Sequence, residues 1–359
     1  MDCSAEHIIA QQTGNEGMMD EGKEARLSVG IDIAAQTFTA AWGSTVSQIG
    51  PAQTFSQTVA SRRMLIRKLQ ATGYAPDQTW VVMEATGTYW MQCAVTLHEA
   101  GYRVSVINPR QAHHFAEALL KQAKTDGIDA QTLAQLALTL PLTSWEPPGE
   151  VWEGLYQRLV EHDNLTEMRQ VLRNQLHALR QRVSVDPAVE ARKRQLLADL
   201  DQQLKTVEAE LTTWLRQSNW ADLARRVQAI PGIGLLSTAW LLVVTNGFTT
   251  CEDAEQLASY LGLVPHPQQS GSSRHGHRRP GHTGHARARR VLYQAAVSAA
   301  RFNPAVQAFY QRLLARGKHT KTARCAAARK LVHIAFAVAT KDQPYDPAYH
   351  LSCHQPLAA

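Results

Sequence analysis

Two apolar runs, Ser28-Val-Gly-Ile-Asp-Ile33 and Trp80-Val-Val-Met-Glu84, do most to limit what this chain can fold into. Each reads as a buried strand, and each carries a carboxylate near its end. Asp32 is flanked by Val29, Ile31 and Ile33, so a charge there needs a partner, and Glu84 after Met83 meets the same demand. Asp126 and Asp129 stand three residues apart in Lys124-Thr-Asp-Gly-Ile-Asp129, at the head of a helical pattern, and so share one helix face. Taken singly, any of these is more readily a surface or capping residue. Asp126 as an N-cap and Asp129 as a first-turn residue would account for the helical pair, but not for the strand-borne pair. Carboxylates on strand ends, with a further pair on a later helix, cluster negative charge for Mg2+, the usual equipment for phosphodiester chemistry.

Around these residues the pattern alternates. Arg26–Ile33 and Thr37–Trp42 read as two strands joined by a tight turn at 34–36, followed by an amphipathic helix over Ser61–Ala71 and a strand over Gln78–Glu84. A helix over Thr88–Ala100 is stopped by Gly101, Tyr102–Ile107 is another strand, and helices follow around Gln111–Leu120 and Asp129–Leu138. A hairpin followed by β/α alternation predicts an α/β domain with a mixed sheet flanked by helices.

Leu165, Met168, Leu172, Leu176, Leu179 and Val183 then repeat at helical spacing, and the repeat resumes after Asp186-Pro187 from Leu197 to Leu215. This predicts an antiparallel helical hairpin, partly heptad-like, serving as a spacer that also dimerises the protein. Ile230-Pro-Gly-Ile-Gly234 before an apolar helix resembles the turn of a helix-hairpin-helix element, where Gly232 and Gly234 would let backbone N–H groups approach a phosphate. A plain capping turn is the alternative. A loop rich in Gly, His, Ser and Arg spans Pro265–His285, and three helices close the chain. The expected domains are an extension at 1–25, the α/β domain at 26–145, the hairpin at 146–220, a mostly α-helical domain at 221–345 and a tail at 346–359.

Charge is distributed unevenly. Residues 256–359 hold 15 Lys and Arg against two acidic residues, and no Asp or Glu occurs from Gln256 to Lys341. So long an uncompensated tract points to a polyanion as the counter-charge, with a solvated basic face as the alternative. The five cysteines are scattered without a C-x-x-C pair, which argues against a disulfide framework or zinc knuckle and for a reducing cytoplasm. No apolar run reaches the roughly 18 residues a membrane span needs.

Within the basic tract, Gln268-Gln-Ser-Gly-Ser-Ser-Arg274 brings Ser270 close to Arg274, Arg278 and Arg279. A serine becomes a nucleophile when a base, metal or cations lower the cost of its alkoxide; a phosphate-contacting loop is the default reading. His275, His277, His282 and His285 lack the spacing of a zinc site and have no cysteine nearby.

The motifs Ile31-Asp-Ile33, Met83-Glu-Ala-Thr-Gly-Thr-Tyr89, Lys124–Ala130, Ile230–Gly234, Tyr260-Leu-Gly-Leu-Val-Pro265 and Ser270-Gly271 occur in one order over roughly 27–340. In that order they resemble the DEDD-type transposases of the insertion sequence 110 family, the RNA-guided bridge recombinases. The resemblance implies a RuvC-like (ribonuclease H-like) domain, a coiled-coil linker and a C-terminal transposase domain. By motif position it gives Asp32, Glu84, Asp126 and Asp129 the role of a Mg2+-binding tetrad and Ser270 that of nucleophile, with Ser272 and Ser273 as alternatives. It further implies a covalent phosphoserine intermediate on donor and target DNA, a structured guide RNA, and a dimer assembling to a tetramer in which Ser270 of one subunit meets another's acidic site. Arg274, Arg278, Arg279, Arg287, Arg289 and Arg290, with Gly232 and Gly234, are the expected nucleic-acid contacts, in a nucleoid-associated bacterial protein. Two other functions fit parts of the pattern: a metal-only RuvC-like nuclease with no covalent step, and a non-catalytic nucleic-acid-binding protein on the same scaffold.

Overall fold

The sheet is built outward from β1 (Leu27–Ile33), in which every residue but Asp32 is buried. In the computed structural model β1 pairs antiparallel with β2 (Thr37–Gly43) and parallel with β4 (Thr79–Glu84). The edges are β3 (Gln53–Ser56), antiparallel to β2, and β5 (Arg103–Ile107), parallel to β4, giving the order β3-β2-β1-β4-β5. The structure describes residues 26–85, 87–120, 125–264, 284–341 and 343–348, with backbone alone at 269–270 and 274–275. The sheet is mixed, as the alternation predicts, and helices α1 (Val59–Gln70), α2 (Met91–Glu99), α3 (Pro109–Ala118) and α4 (Asp126–Thr139) complete the α/β arrangement. Several details differ from expectation: α3 and α4 begin at Pro109 and Asp126, ahead of the expected Gln111 and Asp129. β3 has one buried residue in four, too weak a pattern to announce an edge strand, and α2 begins at Met91 because turn residues occupy 87–90.

One contact decides where α4 lies. A Cβ on Gly30 would stand 2.0 Å from the Ala130 carbonyl oxygen and 2.3 Å from the Ala134 amide nitrogen, so the helix rests directly on the backbone of β1. Val82 of β4 packs with Leu133, Leu136 and Ala137 on the same face. The Arg26 guanidinium donates to the Ala137 carbonyl at 2.8 Å. Moving up β1 from Arg26 to Gly30 therefore moves back along α4 from Ala137 to Ala130, and the helix N-terminus lies at the C-terminal end of the strand.

The chain divides into two compact units, Met1–Pro147 and Pro148–Ala359. In the second, α5 (Glu150–Arg180) and α6 (Pro187–Gln217) form the hairpin, with Asp186 accepting from the Ala188 amide as N-cap and Pro187 at the first helical position. Leu155, Leu159, Leu204, Val207, Leu211 and Leu215 are buried along it. A Cβ on Gly154 would meet the Trp214 ring at 2.7 Å, and the Arg158 guanidinium lies over that ring at 4.6 Å from its centroid. Helices α7 (Ala221–Gln228), α8 (Leu235–Val244), α9 (Ala254–Tyr260), α10 (Ala286–Phe302), α11 (Pro304–Ala315) and α12 (Thr320–Thr340) make a helical body around α8, which is buried from Ser237 to Val244 and apolar but for Ser237 and Thr238. Trp152 reaches this body by donating its indole N–H to the Val243 carbonyl at 2.8 Å. Trp152 and Trp214 thus act as packing anchors of the hairpin. Among the described residues no helix is long and apolar enough to cross a membrane.

Candidate functional site

Ile31 of β1 lies level with Met83 of the parallel strand β4. One residue further on each strand are Asp32 and Glu84, so the two carboxylates occupy level positions on neighbouring strands. Side chains alternate along a strand, so Asp32 projects on the face of Gly30 and Glu84 on the face of Val82. Both of those residues touch α4. The acidic pair therefore points to the side on which α4 lies, at the end where that helix begins with Asp126 and Asp129 in its first turn.

The N-cap of α4 is Thr125, whose hydroxyl accepts from the Ile128 amide at 3.3 Å. Capping thus does not account for Asp126, although both acids still favour the helix dipole. Asp126 is exposed; Asp32, Glu84 and Asp129 are half-buried, and each of these three takes part in a polar or electrostatic interaction. All four offer carboxylate oxygens, the donor type that hard divalent cations prefer. Among the described residues, however, no three His, Cys, Asp or Glu side chains stand close enough together to hold a metal ion. The backbone brings the four to one end and one face of the sheet without drawing their side chains into a cage.

Ser270 lies in a two-residue strand, β6 (Gln269–Ser270), paired antiparallel with β7 (Arg274–His275), and Ser270 is level with Arg274. Its side chain, and Ser272, Ser273, Arg278, Arg279, His277 and His282, fall outside the described residues, as does the side chain of Arg274. The two ends of this loop are held together. His285 donates its amide to the Tyr260 carbonyl at 3.3 Å, and a Cβ on Gly284 would stand 2.6 Å from that oxygen and 2.7 Å from the Gly262 nitrogen. Gly284 also has φ +97°, a left-handed backbone that favours glycine. His285 is buried beside Trp240, and its Nδ1 accepts from the Ala288 amide as the N-cap of α10.

The basic residues after the loop divide. Arg290 makes ion pairs with Asp163 and Glu167 of α5, both at 2.9 Å, and Arg287 approaches Asp163 at 3.9 Å. The Asp163 side chain is only 8% exposed. Burial pushes its carboxyl above the ordinary aspartate range, against the pull of Arg290 and Arg287. Sequence reasoning missed this pairing; Arg290 and Glu167 are separated by 123 residues. Arg289 is partly buried and lies close enough to Cys325 to act on its thiol.

The turn before α8 also divides. Gly232 has φ +101°, and a Cβ there would stand 2.5 Å from the Ala299 Cβ of α10, so its glycine is required by backbone and packing. Gly234, the N-cap of α8, is exposed with open space around it, leaving the first amides of that helix accessible.

Comparison with known proteins extends these observations over most of the chain. A family model for DEDD-type IS110 transposases matches residues 29–184, and the model described as "Transposase IS116/IS110/IS902 family" matches residues 224–311. The chain is similar to the pilin gene-inverting protein of Moraxella bovis, 30% identical over 332 residues that cover 90% of this chain and 98% of that protein. It is also similar to the 43.6 kDa protein of insertion element IS110 from Streptomyces coelicolor, 31% identical over 142 residues covering 40% of this chain and 34% of the relative. The transposase for insertion element IS1111A of Coxiella burnetii is 23% identical over 273 residues, 68% of this chain and 70% of its own. With a relative matched along nearly its whole length and both family models aligned in order, this chain belongs to the IS116/IS110/IS902 family of transposases.

Proposed function

We propose that this transposase cuts and rejoins DNA at a divalent-metal site formed by Asp32, Glu84, Asp126 and Asp129, with Ser270 as nucleophile. The observation that carries the reading is the register of the two parallel strands, which sets Asp32 level with Glu84 on the face where α4 begins. The Mg2+ ions of such a site supply charge neutralisation at the attacking and leaving oxygens of an in-line displacement. Asp32 and Glu84 would hold cation from the strand ends, and Asp126 and Asp129 from the first turn of α4. Closure of the four round a cation would require side-chain rotation, with water or a phosphodiester oxygen filling the remaining positions.

The Ser270 hydroxyl oxygen forms a bond to phosphorus while the bond to a deoxyribose oxygen breaks; the serine proton passes to a base and the departing sugar oxygen takes one up. Strand exchange then reverses the step with a different sugar hydroxyl, releasing the serine. Guide RNA pairing with donor and target would supply sequence selection, leaving the protein to read backbone and shape. The reading includes a dimer-based tetramer in which the serine loop of one subunit serves the acidic site of another, acting in the bacterial cytoplasm on nucleoid DNA.

The test is denaturing gel analysis of full-length protein with element-end DNA and Mg2+. Wild type is expected to give a covalent protein–DNA adduct, Ser270→Ala none, and Asp126→Ala a large loss. An adduct from Ser270→Ala moves the nucleophile elsewhere, and cleavage with no adduct favours the metal-only nuclease. Separately, Mn2+ binding followed by electron paramagnetic resonance should weaken at least tenfold in Asp32→Asn; unchanged binding removes Asp32 from the metal set.

A further inference from the structure

The second unit neutralises part of its own basic tract. Arg287 and Arg290 are met by Asp163 and Glu167, and Arg329 lies 3.9 Å from Glu255. A different group of cations lacks any such counter-charge. At the turn between α11 and α12, Arg312, Arg316, Lys318 and Lys321 are all exposed, and among the described residues no carboxylate pairs with them.

Helix electrostatics explains half of this cluster. Arg312 and Arg316 lie at the C-terminal end of α11, where cations are favoured. Lys318 and Lys321 lie at the start of α12, where a cation opposes the helix dipole, and the first turn of α12 has no acidic residue to offset it. Gly317, at φ +71°, makes the turn, and a Cβ there would meet nothing within 4 Å, so the turn is open to solvent. His319 caps α12 through its ring, accepting from the Lys321 amide at 3.3 Å. No carboxylate cap intrudes on the positive surface.

Aromatic rings line the adjoining face. Arg312 and Lys330 lie 5.5 and 5.6 Å from the centroid of Phe309, and Arg324 stands beside Tyr293 and Tyr310. The same contacts locate the cluster. Arg324 joins the early part of α12 to α10, and Cys325 feels the charge of Arg289. The α11–α12 turn therefore lies at the end of the helical body where the chain leaves the serine loop at Gly284 and His285.

We propose that the α11–α12 turn, through Arg316, Lys318 and Lys321 with Arg312 beside them, binds the phosphodiester backbone of a nucleic acid. The contact is distinct from the arginines of the loop itself and independent of which residue is the nucleophile. It tracks backbone rather than bases, since the cations cluster on a turn, Lys318 and Lys321 as point charges, and no helix face of mixed hydrogen-bonding side chains is offered there. DNA duplex and structured RNA share this chemistry, and separate measurements distinguish them.

Binding of full-length protein to a fluorescein-labelled 30-base-pair duplex and to a labelled RNA hairpin, each followed by anisotropy across a range of salt concentrations, tests the inference. Each phosphate contact contributes about 0.9 to the slope of log K against log salt on B-DNA and about 0.7 on single strands. Arg316→Ala/Lys318→Ala/Lys321→Ala is expected to make the slope shallower by about 2–3 on the polymer that the turn contacts. Lys318→Arg/Lys321→Arg should retain the wild-type slope, because charge and not packing is at stake. A change confined to the duplex assigns the surface to DNA, one confined to the hairpin assigns it to RNA, and a change on both assigns it to the shared backbone. Unchanged slopes on both polymers in a triple variant with wild-type melting overturn the proposal. If the triple variant melts early, Lys318→Glu alone must flatten the slope on one polymer by about 1 or more, and failure to do so overturns it equally.

Discussion

At the residue scale, the most exacting position is one without a side chain. Gly30→Ala would push a methyl group into the Ala130 carbonyl and the Ala134 amide, both backbone atoms that cannot rotate away. We expect a loss of at least about 2–3 kcal/mol of unfolding free energy in a urea melt of the full chain. Gly234→Ala, with open space around it, should change stability by less than about 1 kcal/mol, whereas Gly232→Ala should cost about 1–3 kcal/mol through φ and Ala299 together. Equal melts for the two would refute this account of the turn.

Asp163 makes a pH-dependent prediction whose sign differs from that of an ordinary ion-paired aspartate. Its folded pKa is raised above the ordinary 3.8 because burial outweighs the neighbouring arginines. The stability it contributes is therefore greatest below 3.8 and is lost as pH rises through the raised folded value. The difference in stability between wild type and Asp163→Asn should shift in favour of wild type as pH is lowered from 7 toward 4. A shift the other way would mean that the arginines dominate after all.

At the element scale, α4 carries both the packing on β1 and the proposed metal ligands Asp126 and Asp129. Thr125→Ala removes its N-cap and should cost about 1 kcal/mol, and fraying of the first turn would also loosen Asp126 and Asp129. Melting and Mn2+ affinity measured together check both effects.

How far these elements were legible follows from their patterns. β1, β4 and β5 are apolar runs that declare themselves; α4 is legible as a helix but starts three residues before the expected Asp129, because Thr125 and not Asp126 is its N-cap. The long hairpin was legible from leucine spacing, and Asp186-Pro187 marked the start of its second helix. β3 was not, because Gln53-Thr-Phe-Ser56 offers one buried side chain and is fixed by its pairing with β2. For the candidate site, strand ends and helix head were readable from the chain, since position along an element is a local property. Level placement of Asp32 and Glu84 needed the inter-strand register, and the capture of Arg290 by Asp163 needed a contact between distant helices.

At the scale of the whole molecule, charge separates the two units. Residues 1–147 carry 10 basic and 14 acidic residues, and 148–359 carry 27 basic and 17 acidic. Expressed separately, the second unit should bind duplex DNA with steep salt dependence and the first should not. Comparable binding by the first unit would show that net charge does not decide which unit holds the polyanion.

The shared face of Gly30 and Asp32 has a consequence for how this strand can change over time. A one-residue insertion or deletion between Leu27 and Ile31 would turn Asp32 to the opposite side of the sheet. It would also bring a side chain beneath α4 where none fits. Loss of the acid's position and loss of the helix seat would then arrive in the same step. Descendants of this chain can replace Asp32 and keep the seat of α4, but they cannot slide it.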